Sequence, residues 1–236
     1  MVKDNDVERI QTSFINGLEK KVLTYLAARQ PRWVTSDLLT LVGIFGAVLI
    51  AVGYILTSRS YAFLWLSTLG LVINWYGDSM DGTLARFRGT QRPVYGYYID
   101  HTVDIVNEAF MFIGIGLSPL MHLPLAEMIF IIYLFLTINV SLNAHLKSEF
   151  KLTYLKLGPT EFRLLAILIN TVFFFCKPLQ EFSWSVTLLG HPLTLRAFDF
   201  AGLVILLVLI IIYVITVVGD AAGYAKSDPL PGPHKD

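Results

Sequence analysis

Four aspartates between residues 78 and 104 are the side chains in this sequence best suited to chemistry. Asp78 and Asp81 are three positions apart, and Asp100 and Asp104 are four apart. Residues at these spacings share one face of a helix. The sequence therefore predicts two neighbouring helices, joined by a short link, that direct four carboxylates into one space.

Such a cluster indicates a metal site. A single aspartate at the centre of a membrane helix costs roughly 2.5–3.5 kcal/mol, and four together also repel one another. A bound divalent cation offsets both costs. Carboxylate oxygens suit Mg²⁺, Mn²⁺ or Ca²⁺ rather than zinc. Four carboxylates have room for two ions about 3.5–4 Å apart, an arrangement that transfers phosphoryl groups.

The composition is that of an integral membrane protein. The 236 residues are 55% hydrophobic and 15% charged, and the mean hydropathy is +0.61. Basic and acidic residues are equal in number, so the charge gives no indication of a nucleic-acid partner. With Cys176 as the single cysteine, no disulfide forms within the chain.

Six apolar segments predict an all-α protein with six transmembrane helices. Most of them approach the roughly 17–25 residues that cross a bilayer. They lie at residues 37–57, 60–77, 95–118, 123–145, 161–180 and 197–219. We therefore expect one six-helix catalytic domain over residues 34–220.

The basic residues predict the orientation of these segments. Of the 18 lysines and arginines, only Arg59, Lys177 and Arg196 fall in the links that would lie on one side of the membrane. The remainder fall in the two terminal regions and in the alternate links. Because basic residues mark the cytoplasmic side, we expect both termini and the aspartates there.

The two ends of the chain differ in character from this domain. Residues 1–33 carry apolar side chains at helical spacing among lysines and arginines, which predicts an amphipathic cytoplasmic helix at the membrane surface. Pro31 is expected to end it. Residues 221–236 are rich in proline and polar residues, which predicts a disordered cytoplasmic tail.

The aspartate stretch resembles the signature of the CDP-alcohol phosphotransferases, membrane enzymes that make phospholipid head groups. The resemblance rests on Asp-x-x-Asp-Gly-x-x-Ala-Arg at residues 78–86 and Gly-x-x-x-Asp-x-x-x-Asp at residues 96–104. The layout of six spans, cytoplasmic termini and a surface helix is similar too. The link from Phe87 to Tyr95 is one residue longer than is usual in that family.

The resemblance implies a reaction in which an acceptor hydroxyl attacks the β-phosphorus of a CDP-linked donor and CMP leaves. It implies that Asp78, Asp81, Asp100 and Asp104 bind two Mg²⁺ or Mn²⁺ ions. Asp100 and Asp104 are the implied catalytic residues, and Asp104 is the candidate general base. Homodimerisation is a further expectation from the family.

The small and basic residues of the motif are the implied nucleotide site. Gly82, Ala85 and Gly96 leave room for the nucleotide to pack against the helices. Arg86 offers a fork of donors to a phosphate. The alternative for Arg86 is an anchor at the cytoplasmic interface.

Residues 35–43 resemble a second stretch of the family, Pro-Asn/Asp-x-x-Thr-x-x-Gly, with Ser36 in place of the proline. Asp37 and Thr40 are therefore further candidates for nucleotide binding. The alternative interpretation is a helix N-cap at Thr35 or Ser36.

A cytoplasmic basic patch follows the fourth segment. Lys147, Lys151 and Arg163 are candidates for binding a phosphorylated acceptor or lipid head groups. Ordinary positive charge on the cytoplasmic side is the alternative.

The sequence leaves the substrates open. Ile105 follows Asp104, where members with phosphorylated acceptors often carry Arg or Lys, which argues mildly against such acceptors. Residues 100–107 resemble the choline and ethanolamine phosphotransferases, which use a CDP-amino alcohol. The short chain is more like bacterial and archaeal members, many of which use CDP-diacylglycerol.

Inward carboxylates in a helical bundle also fit a divalent-cation transporter or channel. The small residues Gly82 and Ala85 beside Arg86 favour the transferase, because a transporter needs no such pocket. A catalytically inactive lipid-binding scaffold is less favoured, since none of the four carboxylates is missing.

Overall fold

The chain is mostly helical in a computed structural model, which describes residues 9–10, 16–147, 150–151, 159–188 and 191–230. The helices are α1 (Asn16–Ala27), α2 (Ser36–Leu56), α3 (Leu64–Arg88), α4 (Pro93–Gly116), α5 (Leu123–Lys147), α6 (Pro159–Phe175), α7 (Lys177–Glu181) and α8 (Ala197–Ser227). The strands are β1 (Arg9–Ile10), β2 (Phe150–Lys151), β3 (Ser183–Leu188) and β4 (His191–Arg196). Strands β1 and β2 pair in parallel, and β3 and β4 form an antiparallel hairpin.

A long helix occupies the place of each predicted apolar segment. Among the described residues, three stretches are long and apolar enough to cross a membrane, at 36–56, 123–143 and 197–227. Helices α3 and α4 carry the aspartates, which lower their mean hydropathy, and α6 is shorter, at 17 residues. The total of six membrane spans therefore stays a prediction.

Helices α2 and α3 lie in backbone contact through glycines. A Cβ atom at Gly70 would lie 2.7 Å from the carbonyl oxygen of Gly46 and 2.7 Å from the amide nitrogen of Ile50. Ser67 donates a hydrogen bond to the Ile50 carbonyl at 3.1 Å, and Asn74 donates to that of Gly43 at 3.0 Å. Only glycine allows two helices to approach so closely, so these contacts fix α3 against α2.

An apolar core fills the end of the bundle away from the aspartates. It includes Leu64, Leu120, Phe173 and Phe198, all buried. Asp199 is fully buried beside them and accepts hydrogen bonds of 2.8 Å from the backbone nitrogens of His122 and Arg196. This carboxylate joins the start of α8 to the start of α5 and has a structural role.

A short turn reverses the chain between α3 and α4. Gly89 ends α3 in the left-handed conformation, with a φ of 65°, which favours glycine. Pro93 opens α4, a position where its missing N–H costs nothing. The carboxyl end of α3 therefore meets the amino end of α4.

Arg88 fastens the end of α3 to the link between α1 and α2. Its guanidinium donates hydrogen bonds to the carbonyl oxygens of Gln30 at 3.1 Å, of Pro31 at 2.8 Å, and of Val34. This arginine, expected only to mark the cytoplasmic side, thus organises the loop in front of α2.

The two ends of the chain differ in part from the sequence-based expectation. Helix α1 begins at Asn16 and ends at Ala27, before Pro31, and packs Leu23 and Ala27 against the end of α3. Its placement at a membrane surface stays a prediction, and residues 1–8 and 11–15 lie outside the described part. Helix α8 continues to Ser227, so the first residues of the predicted tail are helical. Residues 231–236 are not described.

Candidate active site

Three of the four predicted aspartates converge in the space between α3 and α4. Carboxylate oxygens of Asp78, on α3, and of Asp100 and Asp104, on α4, all lie within 4.8 Å of one another. All three side chains are partly buried. Helix α2 packs against both α3 and α4, and this shared contact brings the three carboxylates together. These oxygens form a donor set that fits a hard divalent cation.

Asp81 lies beside this group but is held differently. One carboxylate oxygen accepts a hydrogen bond of 2.7 Å from the Thr40 hydroxyl, and the other accepts from the amide of Gly82. Its backbone carbonyl accepts from Ser36 at 2.9 Å. Thr40, expected at the nucleotide site, thus orients an aspartate of the motif.

A small cleft between α2, α3 and α4 joins these groups. It is lined by Thr40, Gly43, Asp78, Asp81, Asp100, Val103 and Asn107. Asp81 therefore faces the same space as Asp78 and Asp100. Because buried carboxylates repel one another, a bound cation here would offset both repulsion and lost hydration.

Arg163, from the predicted basic patch, reaches the aspartates directly. Its Nη2 atom lies 2.8 Å from a carboxylate oxygen of Asp78, and its Nε donates to the side-chain oxygen of Asn74 at 2.9 Å. Helix α6 thereby contributes a positive charge to the site. The other two patch residues, Lys147 and Lys151, lie at the end of α5 and in β2, and their side chains are outside the described part.

The remaining motif residues lie near the end of α3. Arg86 folds back over Gly82, where an added Cβ would lie 3.2 Å from its Nη1 atom. The Nη2 atom of Arg86 donates to Thr83 at 3.2 Å. Ala85 is partly buried in the same turn. Arg86 is exposed, so its guanidinium is accessible to a ligand.

Asp37 and Gly96 are both exposed. Asp37 is exposed on the first turn of α2 and does not line the cleft. Nothing lies within 4 Å of a Cβ built at Gly96. Thr35 is the N-cap of α2 and accepts a hydrogen bond from the Leu38 amide at 3.2 Å, which confirms the alternative interpretation for that residue.

Two asparagines of the site were assigned no role from the sequence, although Asn107 belongs to the pattern over residues 100–107. Asn74 lies four positions before Asp78, and Asn107 lies three after Asp104, so each shares a helix face with an aspartate. That spacing is the signal that would have found them. Both side chains are buried.

Glu19 was also missed, and no local pattern indicates it. Its Oε1 atom accepts hydrogen bonds from Trp75 Nε1 at 2.7 Å and from the Thr160 hydroxyl at 2.8 Å. This single carboxylate joins α1 to α3 and to α6, the helices of Asp78 and Arg163.

Comparison with known proteins agrees with this geometry. The sequence pattern of the CDP-alcohol phosphatidyltransferase family matches residues 33–218. A phosphatidylinositol phosphate synthase of Cutibacterium acnes is 34% identical over 84 residues. That alignment covers 36% of this chain and 38% of the relative, so the similarity to that protein is limited to part of each.

Proposed function

This chain belongs to the CDP-alcohol phosphatidyltransferase family, and we propose that it transfers a substituted phosphate group from a CDP-linked donor to an alcohol, releasing CMP. It is a membrane transferase of phospholipid synthesis. The observation that carries the proposal is the convergence of Asp78, Asp100 and Asp104 within 4.8 Å.

Asp78, Asp81, Asp100 and Asp104 would hold two Mg²⁺ or Mn²⁺ ions. The close approach of three carboxylates and the position of Asp81 on the same cleft support this assignment. Bound ions supply neutralisation of the pyrophosphate and of the charge that develops on the departing CMP. Thr40 and the Gly82 amide hold the Asp81 carboxylate in a fixed orientation.

Asp104 and Asp100 are the residues that would accept the hydroxyl proton and align the reacting groups. The acceptor oxygen forms a bond to the β-phosphorus as the bond to CMP breaks, and CMP leaves with that electron pair. The hydroxyl proton passes to the Asp104 carboxylate. Asp100, one helical turn away on the same face, helps to hold the reacting groups in line.

The donor nucleotide would lie along the ends of α2 and α3. Thr40, Gly82 and Ala85 border this region, and Asp37 and Gly96 are assigned to its outer edge. The exposed guanidinium of Arg86 would bind a phosphate of the donor. Arg86→Ala should raise the Kd for a CDP-linked donor, and an unchanged Kd would leave Arg86 as an interfacial anchor.

Two alternative sets of substrates are compatible with the proposed reaction. The name of the C. acnes relative supports an inositol phosphate acceptor, and Arg163, Lys147 and Lys151 would then bind its phosphate. Ile105 after Asp104 argues against a phosphorylated acceptor, and the similarity of residues 100–107 to the choline and ethanolamine enzymes supports a CDP-amino alcohol donor instead.

The number of membrane spans and their orientation are part of the same proposal. The distribution of basic residues supports six spans, with both termini and the aspartates on the cytoplasmic side. The family supports a homodimer. Light scattering of the detergent-solubilised protein would measure its mass, and a monomeric mass would contradict the dimer.

CMP release by the purified protein tests the function. CDP-diacylglycerol should be assayed with serine, inositol phosphate, glycerol phosphate and choline, and CDP-choline or CDP-ethanolamine with diacylglycerol, each with Mg²⁺ or Mn²⁺. One pair should release CMP. Asp100→Asn and Asp104→Asn should each lower that rate by about a hundredfold or more, because each removes charge at the reacting phosphate.

Asp228→Asn is the matched control, since Asp228 is an exposed aspartate beyond α8. It should keep the rate of the unmodified protein. Near-normal CMP release by Asp100→Asn or Asp104→Asn would contradict the metal site. Metal-dependent ion flux in liposomes, without CMP release from any pair, would point to a transporter.

A further inference from the structure

Asn107 is a cleft residue whose side chain has an unmet hydrogen-bonding atom. It lies on α4, one helical turn beyond Asp104, and only 4% of it is exposed. Its side chain lines the cleft together with Asp78, Asp81 and Asp100. Among the described residues, no group donates a hydrogen bond to its buried Oδ1 atom.

The other two asparagines that are buried in the described part of the chain have partners. Asn74 donates to the Gly43 carbonyl and accepts from Arg163. Asn170 accepts from the Tyr54 hydroxyl at 3.2 Å and its amide nitrogen lies 3.4 Å from Thr68. A buried acceptor without a partner lowers stability, because its lost bond to water is not replaced. The unmet atom of Asn107 therefore requires an explanation that Asn74 and Asn170 do not.

We propose that Asn107 is a substrate-contacting residue whose Oδ1 atom accepts a hydrogen bond from a substrate hydroxyl. The chemistry of the atom selects this partner. An amide oxygen needs a donor, whereas the pyrophosphate oxygens of the donor and the neighbouring carboxylates offer acceptors. Hydroxyl groups are the donors that both substrates carry.

This inference rests on the proposed function, which supplies two sources of a hydroxyl. One is the ribose of the CDP group, and the other is the acceptor alcohol. Asn107 shares its helix face with Asp100 and Asp104, so either hydroxyl would lie beside the proposed metal ligands. The experiment must therefore separate the two sources.

Asn107→Leu removes the amide but keeps the number and branching of the side-chain heavy atoms. With Mn²⁺ present, isothermal titration would measure the Kd of CMP and of 2′-deoxy-CMP, and CMP release would give the KM of the acceptor found by the screen. Loss of one hydrogen bond should raise the relevant constant about three- to tenfold. A raised Kd for CMP with an unchanged Kd for 2′-deoxy-CMP would assign the contact to the ribose 2′-hydroxyl. A raised KM with an unchanged Kd for CMP would assign it to the acceptor.

Thermal stability supplies a second readout. The ligand-free Tm of Asn107→Leu should equal or exceed that of the unmodified protein, because an unmet polar atom has been removed. Asn170→Leu is the matched control, since this asparagine is equally buried but has partners. It should lower Tm and leave the Kd for CMP and the acceptor KM unchanged. Asn107→Ala answers the same question if Asn107→Leu does not fold.

Three results would overturn the inference. Unchanged constants for both ligands in an active Asn107→Leu protein would overturn it and leave the proposed function intact. A lower Tm with unchanged constants would make Asn107 a packing residue. Weaker Mn²⁺ binding alone, measured by electron paramagnetic resonance, would assign Oδ1 to a metal-bound water. If the unmodified protein neither binds nor releases CMP, the proposed function itself fails.

Discussion

Arg163 is the residue whose position changes the interpretation of the site most. It was expected in a basic patch at the cytoplasmic surface. Instead, its guanidinium pairs with Asp78 and is held by the buried Asn74. A positive charge here reduces the repulsion among the aspartates before any cation binds.

Arg163→Ala should therefore destabilise the metal-free protein more than the metal-loaded protein. The lost bonds to charged and buried groups are worth about 1–3 kcal/mol, and a divalent cation would replace part of the missing positive charge. Thermal unfolding with EDTA and with Mg²⁺ or Mn²⁺ measures the difference. Arg59→Ala, at an exposed arginine in the α2–α3 link, is the control and should change neither midpoint. An equal decrease of the unfolding midpoint with EDTA and with metal would show that Arg163 does not compensate the charge of the aspartates.

The sequence predicted the aspartates but not this partner. Helical spacing, which is local, predicts that Asp78 and Asp81 share one helix face and that Asp100 and Asp104 share another. The convergence of the two helices depends also on the packing of each against α2. The contact between Arg163 and Asp78 joins residues 85 positions apart, and it depends on how α6 packs against α3. No local pattern contains that information.

At the scale of elements, the glycine contact between α2 and α3 positions the site. Gly46 and Gly70 bring the two backbones together, and Asn74 adds a hydrogen bond across the same interface. Asp78 lies one turn beyond Asn74, so its place depends on this contact.

Gly70→Ala should lower both stability and the rate of CMP release. The added methyl group would meet the backbones of Gly46 and Ile50 at 2.7 Å, and neither can move without shifting a helix. Overpacking of this kind costs about 1–3 kcal/mol. Tm and CMP release measure the two effects. Gly219→Ala is the control, because nothing lies within 4 Å of its added carbon. A Gly70→Ala protein with the original Tm would contradict such close packing.

Most elements were predictable because long apolar runs in a membrane protein form helices. Helix α3 extends to Arg88, beyond the predicted apolar segment that ends at residue 77, because its last turns are polar and carry no hydropathy signal. The helical spacing of Asp78 and Asp81 was the only sequence signal for this extension. The β3–β4 hairpin was missed although polar and apolar residues alternate from Ser183 to Leu188. Alternation of that length is the usual signal of a strand.

At the scale of the whole molecule, the orientation in the membrane is the prediction with the widest consequences. Two single-cysteine variants test it in a Cys176→Ser background. Ser227→Cys, at the end of α8, should react with a membrane-impermeant maleimide only after the cells are permeabilised. Ser58→Cys, in the exposed link between α2 and α3, should react in intact cells. The reverse pattern would place the aspartates on the other side of the membrane.

The contact between α2 and α3 also limits how a lipid can approach the aspartates. Two helices whose backbones touch leave no gap wide enough for an acyl chain. A substrate that diffuses in the bilayer is thus barred from entering between α2 and α3 at the level where Gly46 faces Gly70. Its lateral entrance must lie on the side of the bundle formed by the other helices, and a lipid tail would extend into the membrane in that direction.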